Sequence, residues 1–271
     1  ATISAIIILL FVNTAFAQHT NHEQIRISNQ QIDSILKANL VDEKHAEAFN
    51  KLIIQDAGGR MKPAHTFASE LVRKVSQKND FNGMKPSQVL LSIIENPRLW
   101  FEVPFIYLEK GNTQIRETLG VTKETRYARL SDFITPSGIY KIREKVAEAQ
   151  KENVKNKFQK DLIKIDRRVG LLYSAIGGSI LKIFPIPMDE NNKWVSQPET
   201  SRANFTARDS VFVRQSLPVY IQFLQEAKKS NSYAKADKIL NGIKTFQKKY
   251  GAAVYPTERK IELEILYNKF Q

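Results

Sequence analysis

Between Ile139 and Phe184 the chain runs without a proline, and Phe158, Leu162, Ile165, Val169, Leu172, Ile176 and Ile180 recur at steps of four and three. That spacing gathers the apolar side chains on one face of a helix and leaves the other faces to water. Ile142, Val146 and Ala149 extend the seam upstream. The pattern predicts one long helix over 139–184, about 45 residues and close to 70 Å at ~1.5 Å per residue, bent at Gly177-Gly178. Its middle, Gln150 to Lys157, has no seam residue and reads as a solvated, ion-paired stretch.

The same period recurs on both sides. Ile32, Ile35 and Leu36 predict a helix over Ser28 to Asn39, and Val41-Asp42 caps a second one carrying His45, Ala48, Phe49 and Leu52. A further helix starts near Pro86-Ser87, buries Val89, Leu90, Ile93 and Ile94, and stops at Asn96-Pro97. Trp100 to Leu108 is rich in aromatic and β-branched residues and predicts a strand, with Pro104 at an edge or entry. Thr113 to Gly120 reads as a short helix, and Tyr127 to Phe133 as a short strand or a helical turn. Leu181 to Met188 and Lys193 to Ser196 read as extended segments joined through Asp189-Asn192, able to pair with the Trp100 to Leu108 strand.

The last third is helical. One helix begins at Asp209-Ser210 and runs through Ala227, with Pro218 marking a start or a kink. Tyr233 to Tyr250 forms another, with Ala236, Ile239, Leu240, Ile243 and Phe246 inward. Pro256-Thr257 opens a third, with Ile261, Ile265 and Leu266 inward. The expected fold is mainly α (α+β): one long helix, a C-terminal helical hairpin and a small antiparallel β element. The segments are 1–17, an apolar leader; 18–51, lead-in helices; 52–208, the main domain with the β element and long helix; and 209–271, the C-terminal helical subdomain.

Composition narrows the function classes. Forty-one Lys and Arg against 28 Asp and Glu give a net charge of +13, suited to an acidic or anionic partner. The basic residues are dispersed and no nucleic-acid module is present, which argues against nucleic acid as the partner. There is no cysteine, so the chain has no disulfide, thiolate metal site or cysteine nucleophile. Ile3 to Phe16 is almost wholly apolar and ends Ala15-Phe16-Ala17, which fits either a signal-peptide core or part of a membrane helix cut at its start. On either reading the polar sequence from Gln18 onward is exported. His19 and His22 stand three apart just beyond the leader; His45 and His65 stand alone.

No Gly-x-Ser-x-Gly elbow, His-Glu-x-x-His pair or metal-spaced carboxylate cluster occurs, and nothing in the sequence brings two of Asp132, Glu262 and Glu264 together. The stretch that stands out is Leu52 to Val75, where a short apolar run enters Gln55-Asp56-Ala57-Gly58-Gly59-Arg60-Met61-Lys62-Pro63-Ala64-His65-Thr66 and then a helix with Phe67, Leu71, Val72 and Val75 inward. It reads as strand, basic turn, helix, with His65 or Thr66 placed to accept from free amides at the helix start. Such a turn serves either as plain structure or as a contact for an anion or partner, with Gln55, Gly59, Arg60, Lys62, His65 and Thr66 as the contacting residues and Arg60 and Lys62 as donors.

The run Gln55 to Thr66, with Phe67 to Lys74 after it, resembles the large periplasmic region of System II c-type cytochrome biogenesis proteins in their fused Ccs/Res form. Glu95-Asn96-Pro97-Arg98-Leu99-Trp100, Lys182-Ile183-Phe184-Pro185-Ile186-Pro187 leading to Trp194, and Ile261 to Lys269 agree in the same order, so the resemblance spans Lys44 to the C-terminus. It implies the periplasmic face of a bacterial inner membrane, with haem as the group handled by the complete protein. The implied partners are the haem-handling membrane half of the same system and apocytochrome c, whose thiols take up the haem. It also favours the membrane-helix reading of 1–17 and a further segment beyond Gln271. The family's Trp-rich haem motif has no counterpart, since Trp100 and Trp194 stand apart, and no histidine matches an axial ligand. The resemblance therefore assigns no haem-binding or catalytic residue here. A competing class is a non-catalytic exported adaptor for an acidic protein or polyanion.

Overall fold

The computed structural model describes residues 27–270. The expectations for 1–17, His19 and His22 lie outside the described residues. Helices dominate. Helix α1 (Asn29–Ala38) begins at Ser28, which exchanges hydrogen bonds with Gln31 in a reciprocal cap. Helix α2 (Glu43–Asn50) begins at Asp42, whose carboxylate accepts from the amides of Lys44 and His45. Strands β1 (Ile53–Gln55) and β2 (Met61–Pro63) form an antiparallel hairpin that leads into α3 (Ala64–Ser76). Helix α4 (Pro86–Glu95) comes next, then α5 (Pro97–Glu102), β3 (Ile106–Tyr107), α6 (Thr113–Leu119) and β4 (Tyr127–Ala128).

The core is centred where α3, α4 and α8 (Lys157–Ile176) pack on one another, with α7 (Arg143–Lys151) laid against α8. Strands β5 (Phe184–Pro185) and β6 (Trp194–Val195) form a second hairpin, and α9 (Ala207–Ser230) and α10 (Ala234–Tyr250) a helical pair. Helix α11 (Glu258–Lys269) lies on α3 and β2. The expected mixture of helices with small antiparallel sheets is what the molecule has.

The long helix is a correction. Residues 139–184 form two helices, broken at 152–156, where no apolar side chain is needed by the core. Asn156 starts α8 afresh through a reciprocal cap with Gln159, and turning the chain there lets Val146 and Ala149 share the core with Leu162 and Ile165. A seam of constant period is equally satisfied by one rod or by two helices folded together. At the far end α8 closes at Ile176, and Gly178 takes a positive φ of 70°.

The strand expected over Trp100–Leu108 is corrected too: its first three residues lie in α5, because Pro97 begins a helix as readily as it ends one, and only Ile106–Tyr107 forms a strand, paired with β4. Trp100 is buried, donates from Nε1 to Ser92 Oγ at 2.9 Å and packs on Phe81 and Phe105. Among the described residues the β structure is three two-stranded ladders; β5 and β6 pair with each other, not with β3. Pro218 lies inside α9, which continues through it. Leu266, expected inward, is half exposed, since α11 turns Ile261 to the body.

Two buried amides join the β1–β2 hairpin to the rest. Gln247 of α10 accepts from the Ile53 amide at 3.2 Å and donates to the carbonyls of Ile53 (2.8 Å) and Ile183 (2.9 Å). Gln55 accepts from the Trp194 amide at 2.7 Å and donates to the Asn192 carbonyl at 3.0 Å. These bonds give the hairpin edge partners that a two-stranded ladder lacks.

Candidate functional site

The hairpin tip is built by Asp56. Its Oδ1 accepts from the amides of Gly58 (2.9 Å) and Arg60 (3.0 Å), and its carbonyl accepts from the Gly59 amide at 3.0 Å. Gly59 sits at φ 83°, a conformation in which any other side chain is strained. The turn presents Arg60 outward, with its side chain 60% exposed; Nη2 reaches Glu264 of α11 at 2.7 Å.

Lys62 points the other way. Its Nζ lies 2.8 Å from Asp56 Oδ2 and 2.9 Å from Glu70 Oε1, and Lys74 holds the other oxygen of Glu70 at 2.8 Å. Burial works to raise both carboxyls, but the ammonium groups and, for Asp56, the turn amides outweigh it and hold them below the usual carboxylate range. Burial likewise works to lower Lys62, and the two carboxylates outweigh it, leaving its pKa raised. The lysine is a fixed internal cation joining turn, strand and helix.

The sequence placed His65 and Thr66 as caps of α3. Neither is one: the cap position is Pro63, with no side-chain bond, and both residues lie buried in the first turn. Thr66 Oγ1 accepts from Asn268 Nδ2 at 3.1 Å. His65 is without a hydrogen-bond partner at either ring nitrogen. Burial first, then the positive charges of Lys269 and Arg73, pushes its pKa down, so it is a neutral imidazole. It borders a cleft of about 310 Å³ between α2, α3, the start of α4 and α11, walled also by Asn50, Ser69, Arg73, Lys85 and Lys269. A second cleft of about 380 Å³ lies on the hairpin's other side, against Asp56, Lys62, Phe67, Leu171 and Lys182.

Of the residues singled out from the sequence, Arg60 and Thr66 bond to α11 and His65 lies in the cleft beside it, whereas Gln55 and Lys62 turn to the hairpin's other side; Gly59 and Arg60 are exposed at the tip. The carboxylates weighed from the sequence are dispersed in role: Glu262 pairs with Lys51 at 2.9 Å, Glu264 with Arg60, and Asp132 accepts from the Arg129 amide at 2.8 Å. Among the described residues no group of three His, Asp or Glu is placed to hold a metal ion.

Sequence reasoning missed a polar cluster at His45. Its Nδ1 lies 2.8 Å from Asp237, its Nε2 2.8 Å from Tyr220 Oη, and its ring stacks on Tyr233. Burial lowers the His45 pKa against the pull of Asp237. The cluster ties α2 to the α9–α10 pair, and the long sequence separation of its members left no local signal.

No family model matches the chain. The chain is 30% identical over 228 residues to Protein NrfI of Wolinella succinogenes, a match that covers 83% of this chain and 24% of that protein. The chain therefore spans about a quarter of the length of the curated relative it matches.

Proposed function

We propose that this chain is the periplasmic lobe of a System II type cytochrome c biogenesis protein, and that it supports covalent attachment of haem to apocytochrome c. The observation that carries the reading is the match to Protein NrfI over 228 residues, and the resemblance in matching order from Lys44 to the C-terminus supports it. A segment that spans a quarter of a larger protein suits a lobe working beside other parts. The periplasmic side of the inner membrane is the location this reading requires.

The lobe's work is positioning. Haem attachment needs two thiols of the apocytochrome held beside the haem, and holding reactants in place supplies much of the acceleration in such a step. Neither described histidine presents a free ring nitrogen to a haem: both nitrogens of His45 are engaged, and those of His65 are enclosed. No chemical step is therefore assigned to this chain.

The hairpin tip, with Gly59 and Arg60 outermost and Gln55, Lys62, His65 and Thr66 behind it, is the proposed contact for the membrane half or the apocytochrome. The rigid support under it favours this, since Asp56, Lys62, Gln55 and Gln247 fix an exposed turn from four sides. In the full-length protein in its host, Arg60→Glu is expected to cut holocytochrome c, read by haem staining, at unchanged levels of the variant. Wild-type holocytochrome would remove the hairpin from the contact.

A further inference from the structure

Helix α11 is apolar on two opposite sides. One side buries Ile261 against Ile53 and Trp194 and rests Ile265 on them. On the other, Leu263, Leu266, Tyr267 and Phe270 succeed one another at i, i+3, i+4 and i+7 and are 55%, 50%, 65% and 83% exposed. Scattered exposed apolar residues are ordinary, but four in register on one helix face form a continuous strip.

The charges on the helix are sorted in the same sense. Each of its three carboxylates pairs with a cation of the body: Glu258 with Lys248 at 2.7 Å, Glu262 with Lys51 at 2.9 Å and Glu264 with Arg60 at 2.7 Å. Its cations, Arg259, Lys260 and Lys269, have no carboxylate partner among the described residues. At 100° per residue Arg259 falls within the strip, Lys260 at one edge and Lys269 beyond the other. The outward face is thus apolar with uncompensated positive charge.

At ~1.5 Å per residue the helix is about 18 Å long, too short to cross a bilayer core of ~30 Å. No described helix is long and apolar enough to cross a membrane. An apolar strip edged by cations is the pattern of a helix lying in the plane of an anionic lipid surface, with aliphatic and aromatic side chains among the acyl ends and Arg and Lys at the headgroups. We propose that the outward face of α11 docks on anionic phospholipid, and that the Arg60–Glu264, Lys51–Glu262 and Lys248–Glu258 pairs keep the carboxylates off that surface. The proposal rests on the helix alone and stands whether or not the chain serves cytochrome c.

Because the chain has no cysteine, a single environment-sensitive dye can be placed on the full chain at Tyr267→Cys, with Val154→Cys, 89% exposed, as the control. A local reporter separates this face from any lipid contact of the apolar residues 3–16. With phosphatidylcholine vesicles containing phosphatidylglycerol, the dye at 267 is expected to shift to the blue and to be quenched by lipid-borne quenchers, while the dye at 154 does neither. Adding Arg259→Gln and Lys260→Gln is expected to weaken that response roughly thirtyfold, at about fivefold per cation. An unshifted dye at 267, an equal response to pure phosphatidylcholine, or a blue shift that grows with protein concentration without lipid would each overturn the proposal. The last of these would assign the face to a second copy of the chain.

Discussion

Lys62→Met is the sharpest test of how the hairpin is held. The methionine keeps most of the apolar stem but removes a cation that is 10% exposed and lies within 3 Å of two carboxylates. Deleting one partner of a buried ion pair costs ~3–5 kcal/mol, because the other charge is left unpaired. Here Asp56 and Glu70 keep 21% and 25% exposure, and Lys74 still holds Glu70, so water and a second cation soften the loss. The expected cost is about 2–3 kcal/mol. At roughly 2–4 °C per kcal/mol for a domain of this size, Tm falls by about 4–12 °C.

The pH dependence of that loss fixes its cause. Asp56 and Glu70 have depressed pKa values in the folded state, so their stabilisation is present above the unfolded values of ~3.9 and ~4.3 and is lost as pH falls through the folded ones. Lys62 is raised, so its share persists below its ordinary ~10.4 and is lost as pH rises through the folded value. Urea unfolding followed by circular dichroism should therefore give a gap between wild type and variant that is flat from about pH 5 to 10 and narrows below about pH 4. A gap under about 0.5 kcal/mol at neutral pH, or one unchanged at pH ~3, refutes the ion triad as the hairpin's support.

Other perturbations have equally definite outcomes. A Cβ on Gly251 would lie 2.5 Å from the Trp194 ring and 2.7 Å from the Gln247 carbonyl, so Gly251→Ala should cost about 2–3 kcal/mol and alter the near-ultraviolet tryptophan bands. Gln247→Leu strands the amide and carbonyl of Ile53 and the carbonyl of Ile183, and should cost about 2–4 kcal/mol with faster hydrogen exchange at Ile53. His65→Leu removes two unpaired buried nitrogens and should be neutral or stabilising by up to about 1 kcal/mol at neutral pH. Because the folded state holds the His65 pKa down, wild type loses stability as pH falls below the unfolded value of ~6.5, and the variant's advantage should grow there. An advantage that does not grow in denaturant titrations near pH 5 would contradict that assignment.

The helical period and the caps were legible because they are local. Ser28, Asp42, Pro86 and Thr257 start helices where the sequence places starts, and Ala236, Leu240, Ile243 and Phe246 turn inward as their spacing requires. The break at 152–156 and the helix at Pro97–Glu102 were not legible, since a seam's period does not say whether it folds back, and Trp-Phe-Glu suits either state until packing decides. At the site, the first strand, the turn and the helix were readable from Gly58-Gly59 and Pro63, but the second strand, Met61–Pro63, was read as part of the turn. The inward turn of Lys62 was not readable, because its partners Asp56 and Glu70 lie six and eight residues away across a hairpin. Leu266, on the outward side of α11, was read as inward beside Ile261 and Ile265 because a sequence does not show which of two apolar faces meets the body.

The central claim is that this lobe serves haem attachment to c-type cytochromes. Its most direct test is to delete the gene in its host and stain membranes and periplasm for covalently bound haem, with spectroscopic assay of b-type cytochromes alongside. The c-type bands are expected to vanish and to return with the intact gene, while b-type haem is unchanged. Normal c-type bands in the deletion strain would contradict the claim.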